Sequence, residues 1–320
     1  MYATNIDNGQ TKELFEPDGG GEEKDFSLEE KLRRERARMM ATGVTSYAWA
    51  KGVGGDDAEG KKKQRMLIPL GGALWLLDDA LGGDEGAVPR KVTETNTAGD
   101  TNDSNDFHSL PPNAPLLDAK LSADGSTVAF VADNEVYAVS ANNDEKPRRL
   151  TSGARGVDGL SNGVADYVAQ EELERADGFW LSPRGSLLAF ESVDESHIPS
   201  YRITHQGEDK GLSHSSETSS YSPERTTCED VTRETTVTHE EHRFPFAGAM
   251  NPAVKFGVVS TDRQEAGGDV MWFDLASVFG DDFYLAKAEW LAVPSSDEGS
   301  NDQDSNRLVV QLLDRRQQTL

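Results

Sequence analysis

From about residue 44 onward the apolar residues come in short runs, many of them alternating with polar ones, and each run ends at Gly, Asp, Asn or Pro. That is the sequence form of β-strands joined by tight turns. One run, Leu121-Ser122-Ala123-Asp124-Gly125-Ser126-Thr127-Val128-Ala129-Phe130, continues into a second apolar stretch that ends near Val139. It recurs as Trp180-Leu181-Ser182-Pro183-Arg184-Gly185-Ser186-Leu187-Leu188-Ala189-Phe190. Weaker copies start at Trp49, leading into residues 65–70 and 73–77, and at Trp290, leading into residues 307–312. Each copy reads as strand, turn, strand, turn, strand, which is the pattern of a propeller blade. The copies begin 72, 59 and 110 residues apart, further than the roughly 40–50 residues of a blade. The polar, low-complexity stretches 82–106 and 206–238 account for the excess as disordered inserts.

Two segments depart from this texture. Residues 1–25 are polar and rich in Gly, Glu and Asp, and are expected to be disordered, because they carry too little apolar surface to offset the entropy of ordering. Ser27 followed by Glu30 has capping-box spacing, and strong helix formers fill residues 28–40 until Gly43, so a surface helix is predicted there. The expected fold is all-β: a partial β-propeller of four-stranded blades over residues 26–320, with an N-terminal helix and a short inserted helix near residues 166–175.

Composition narrows the function. With 32 Lys and Arg against 57 Asp and Glu, the formal net charge is -25. Such a field repels phosphate backbones and anionic lipid headgroups, so neither nucleic acid nor membrane is an expected partner. The one cysteine, Cys228, rules out an internal disulfide and a cysteine-rich metal site. The N-terminus has no basic and apolar leader pattern, and no run of about 18 apolar residues occurs. These features predict a cytoplasmic protein without metal or cofactor.

The most specific stretch is Gly163-Val164-Ala165-Asp166-Tyr167-Val168-Ala169-Gln170-Glu171-Glu172-Leu173-Glu174-Arg175-Ala176-Asp177-Gly178-Phe179-Trp180-Leu181-Ser182-Pro183, continued by Val193-Asp194-Glu195-Ser196. It resembles the signature of dipeptidyl peptidase IV-type propellers, in which Gln-Glu-Glu on a short helix leads into Gly-aromatic-Trp and a blade turn. Residues 28–36 and 43–47, then 244–252 and 313–318, resemble further segments of that family in the same order. Leu181 stands where the family usually has a second aromatic. The lack of a leader points to the family's cytosolic branch.

The resemblance implies that Glu171 and Glu172 bind the α-ammonium of a peptide substrate and so measure two residues to the scissile bond. An ammonium has three donors and suits two carboxylates in a water-poor cavity. Without the flanking match, a Glu-Glu pair reads as a solvated helix face. The family also uses an arginine from an earlier blade, for which Arg65 and Arg155 are both candidates. Two further patterns carry no chemistry. Gly159-Leu160-Ser161-Asn162-Gly163 fits G-x-S-x-G, but the polar, Gly-rich residues before it are not the apolar strand that a nucleophile elbow needs. His239 and His242 are three apart, where a zinc helix requires four.

The functional expectation is a substrate-gating propeller region of a serine exopeptidase that releases N-terminal dipeptides. The α/β-hydrolase domain with Ser, Asp and His is expected to be absent from this chain, leaving it inactive alone. Its expected partners are the peptide N-terminus, the missing hydrolase domain and a second copy in a homodimer. The alternative is a non-catalytic propeller scaffold or protein-binding module.

Overall fold

The structure, a computed structural model, describes residues 1–15, 34, 43–56, 62–80, 89–94, 110–111, 114–142, 145–205, 238–262, 269–280, 282–291 and 307–317. The chain opens with a hairpin of β1 (Tyr2–Thr4) and β2 (Thr11–Glu13). The first blade is antiparallel, in order β3 (Ala48–Asp56), β4 (Lys62–Leu70), β5 (Ala73–Leu77) and β6 (Pro89–Glu94). The second has β7 (Leu117–Leu121), β8 (Thr127–Ala132), β9 (Glu135–Ser140) and the short β10 (Arg148–Arg149).

The third blade is more elaborate. It begins with β11 (Leu160–Asn162), leaves the sheet through helix α1 (Tyr167–Glu172), and returns as β12 (Phe179–Leu181) to pair with β13 (Leu187–Asp194). A separate hairpin, β14 (Ser200–His205) with β15 (Thr238–Arg243), precedes β16 (Ala253–Ser260) and the outer β17 (Met271–Phe273). After the single turn α2 (Ala276–Phe279), β18 (Phe283–Leu291) and β19 (Arg307–Asp314) form a two-stranded sheet.

The period-2 alternation of side chains makes each blade two-faced, and both faces are used. Leu67, Leu74 and Leu76 of the first blade meet Val128, Phe130, Tyr137 and Val139 of the second. The opposite face of the second blade, Ala129, Val131, Val136 and Ala138, meets Phe179, Leu188, Phe190 and Val259 of the third. Ala189, Phe256 and Val258 then meet Phe283, Leu285 and Leu312 of the last sheet. Sheets stacked face to face through such layers are the packing of a propeller. Each large side chain fully buried in them contributes roughly 1.5–3 kcal/mol.

The repeat is structural as well as textual. Ser122 and Ser182 are both buried. Their hydroxyls each accept from the backbone five residues on, Thr127 and Leu187, at 3.0 Å. The amides of Gly125 and Gly185 close the same turn onto the carbonyls of Ser122 and Ser182 at 2.9 and 2.8 Å. The second turn of the unit, Asp133-Asn134, has φ of 48° and 59°, the doubly left-handed geometry of a two-residue hairpin that follows the twist of its strands.

Two expectations need correction. Residues 1–15 are ordered: Leu14 and Phe15 are buried against Met66, Ile68 and Leu77, covering the face of the first blade turned away from the second. Residues 89–94, expected inside a disordered insert, are the fourth strand of that blade. Most of residues 28–40, and the rest of 82–106 and 206–238, lie outside the described residues, apart from Thr238 in β15; Arg34 is helical and donates to Thr45 Oγ1 at 3.1 Å.

Candidate functional site

Helix α1 starts because Asp166 caps it. Its carboxylate accepts from the amides of Val168 at 2.9 Å and Ala169 at 3.2 Å, satisfying two of the orphan donors of the first turn. Burial pushes the Asp166 carboxyl above its usual range, against the Ala169 amide, the Arg175 guanidinium and the Val168 amide. Ala169 is buried, and the Tyr167 ring packs 5.6 Å from Phe244 in the segment after β15. Glu171 and Glu172, the predicted pair, are both exposed on the last turn. Glu174, at φ 52°, then reverses the chain, and the Arg175 amide closes back onto the Ala169 carbonyl at 3.0 Å.

Carboxylates at the C-terminal end of a helix face its partial negative charge, and the last turn holds no basic residue. Three residues beyond Glu172, Arg175 enters a buried polar cluster that sequence reasoning missed. Arg175 donates from Nη1 to Glu191 Oε1 at 2.6 Å and from Nη2 to Glu191 Oε2 at 2.9 Å, with Glu191 fully buried in β13. Its Nε donates to the Leu285 carbonyl of β18 at 3.0 Å. Desolvation pushes the Glu191 carboxyl up to about 8 although Arg175 pulls it down. Beside the cluster, Lys120 from β7 bonds the Phe179 carbonyl at 2.6 Å and pairs with Asp177 at 2.7 Å. A lone Glu within the apolar run Leu188-Ala189-Phe190-Glu191 was the available signal, since a charge at a core position needs a partner.

The two candidate arginines are not equivalent. Arg65 is taken up by blade contacts, to Asp78 and the Gly125 carbonyl at 2.5 Å and to Asn142 at 3.0 Å. Arg155 lies 3.2 Å from Asp133 and keeps Nη1 buried without a hydrogen-bond partner. Ser161 sits on β11 opposite Val193, and the next helix starts only at Tyr167, not at the residue after the serine as a nucleophile elbow requires. His239 and His242 lie on strand β15 and not on a helix. No cluster of metal-ligating side chains occurs among the described residues.

Comparison with known proteins decides the family: residues 90–320 match the model of the dipeptidyl peptidase IV (DPP IV) N-terminal region. The chain belongs to this family. Its relatives include members of the dipeptidyl peptidase group. It is 25% identical over 285 residues to dipeptidyl peptidase 8 of Mus musculus, covering 83% of this chain and 26% of that protein. To dipeptidyl peptidase 4 of Felis catus it is 27% identical over 173 residues, 53% of this chain and 19% of that one. The chain thus spans about a fifth to a quarter of the length of these two relatives. The crystal structure of Porphyromonas gingivalis dipeptidyl peptidase 4 superposes with a TM-score of 0.51 at 17% identity, over 91% of this chain and 31% of that one. The likeness supports the DPP IV propeller fold. No helix among the described residues is long and apolar enough to cross a membrane.

Proposed function

We propose that this DPP IV N-terminal region binds the free amino terminus of a peptide through Glu171 and Glu172, and gates and orients it for a serine-type hydrolase domain that releases N-terminal dipeptides in the cytoplasm. The observation that carries the reading is the placement of two adjacent exposed carboxylates on the last turn of a helix anchored into the blade core. Two charge-assisted bonds to one ammonium fix both the identity and the position of the peptide end. A blocked amino terminus removes the charge and two of the donors.

The test compares an alanine tripeptide carrying a free amino end with its acetylated copy, titrated by NMR against the 320-residue chain. The free-amine peptide is expected to bind and the acetylated one not. Glu171→Gln and Glu172→Gln should each weaken the free-amine complex about fivefold, since an exposed charge-assisted contact is worth up to about 1 kcal/mol. Equal binding of both peptides by the unmodified chain would overturn the proposal.

A further inference from the structure

Helix α1 belongs to an excursion, residues 163–178, that leaves and re-enters the third blade at one point on β13. Strand β11 pairs with Ser192, Val193 and Asp194, while β12 pairs with Leu188, Ala189 and Phe190. Glu191 is the residue left between the two pairings. Its carbonyl accepts from the Gly163 amide at 2.8 Å and its amide donates to the Gly178 carbonyl at 2.9 Å. The neck so formed is tight: a Cβ on Gly178 would lie 2.3 Å from the Gly163 carbonyl carbon. The Glu191 side chain then reaches into the excursion and takes Arg175 on both oxygens.

Arg175 joins the remaining parts. Nη1 also donates to the Asp177 carbonyl at 2.5 Å, Nε to Leu285 of the next sheet, and Nη2 lies 3.9 Å from Asp166, the helix cap. Both ends of a six-residue helix therefore converge on one guanidinium. On an isolated helix Arg175, four residues beyond Glu171, would face it as a surface ion pair. Here the chain reversal at Glu174 turns Arg175 inward to Glu191.

We propose that Glu191 and Arg175 are positioning residues for the Glu171–Glu172 pair: a clasp at the neck of the excursion that fixes where the two carboxylates stand. The proposal rests on the ammonium-binding reading above. A purely apolar neck would hold the excursion with similar stability, because replacing both partners of a buried hydrogen-bonded pair by packed hydrophobic side chains is often nearly neutral. It would lack the directional, two-pronged bonds that set the helix in one orientation. The clasp thus separates stability from geometry.

Two variants test this. Arg175→Met with Glu191→Leu should unfold cooperatively within a few degrees of the unmodified chain, yet lose about tenfold or more of its preference for the free-amine tripeptide over the acetylated one. Arg175→Lys keeps the charge but not the two-pronged geometry. In it, amides of Val168–Glu172 should exchange with solvent about tenfold faster or more, while those of β13 and β16 keep their protection. If the double variant folds and keeps the full preference, or if the helix amides of Arg175→Lys exchange at the original rate, the clasp does not position the pair. The exchange result is independent of peptide binding. If the unmodified chain shows no preference at all, the ammonium reading falls, and the exchange experiment alone decides whether the clasp orders the helix.

Discussion

At Glu191 two opposing forces act on one proton. Complete burial favours the neutral acid, and the Asp166 carboxylate reinforces that, while Arg175 and Lys120 favour the anion. Burial prevails and the carboxyl rises from 4.5 to about 8; hydrogen bonds from Arg175 strengthen with the charge but do not require it. In the unfolded chain the same group ionises near its ordinary value, so between about pH 4.5 and 8 unfolding releases a proton and stability falls as pH rises. The contribution is fully present below the unfolded value and lost through the folded one. Wild type should therefore lose several degrees of melting temperature relative to Glu191→Gln between about pH 5 and pH 8, measured side by side by calorimetry. Parallel curves would show that Glu191 is ionised throughout. In the sequence, the short helix that carries Glu171 and Glu172 was legible because a long flanking motif surrounds it. Arg175 and Glu191 were not, because sixteen residues separate them and only the fold makes them neighbours.

Among the elements, the blade turns were the most legible, because their chemistry is local. Gly125 and Gly185 have φ of 74° and 68°, conformations that L residues with a Cβ rarely adopt. A Cβ on Gly185 would lie 2.5 Å from Thr127 Oγ1 and 2.9 Å from the Ser122 Cβ in the neighbouring blade's turn. Gly185→Ala combines left-handed strain with a clash, and a loss of about 1–3 kcal/mol is expected. Ser182→Ala leaves the Leu187 amide without the hydroxyl it donates to, at about 1–3 kcal/mol for an unsatisfied buried donor. Urea denaturation measures both, and a change below about 0.5 kcal/mol in either would mean that the turn relaxes around the loss. Less legible were β6 and the hairpin of β1 and β2. The first is one strand between polar stretches, with alternation too brief to stand out. In the second, Asn8-Gly9 was the missed signal, a turn pair with Gly9 at φ 71° between strands of three residues each.

Across the described residues, stacked sheets bury both faces of an inner blade, and the face of the first blade turned away from the second is covered by a different kind of element. Met66, Ile68 and Leu77 point to that side and are fully buried. The cover is the N-terminal segment: Phe15 is 4% exposed and its ring lies 6.0 Å from that of Trp75, with Leu14 beside it at 6%. A segment that polar composition assigns to disorder is thus held by two apolar residues at its end, where tertiary burial outweighs weak local propensity. If that cover is part of the fold, Phe15→Ala should cost about 3–5 kcal/mol, the range for emptying a buried aromatic site. Gaps of that size do not fill by local relaxation when the facing strands are fixed in a sheet. The bared patch would also promote association. Equilibrium denaturation gives the first quantity, and light scattering at rising protein concentration gives the second. Tyr2→Ala, on the exposed side of the same hairpin, should change neither by a comparable amount. A Phe15→Ala chain as stable and as monodisperse as the original would mean that the first blade holds its outer face without the hairpin.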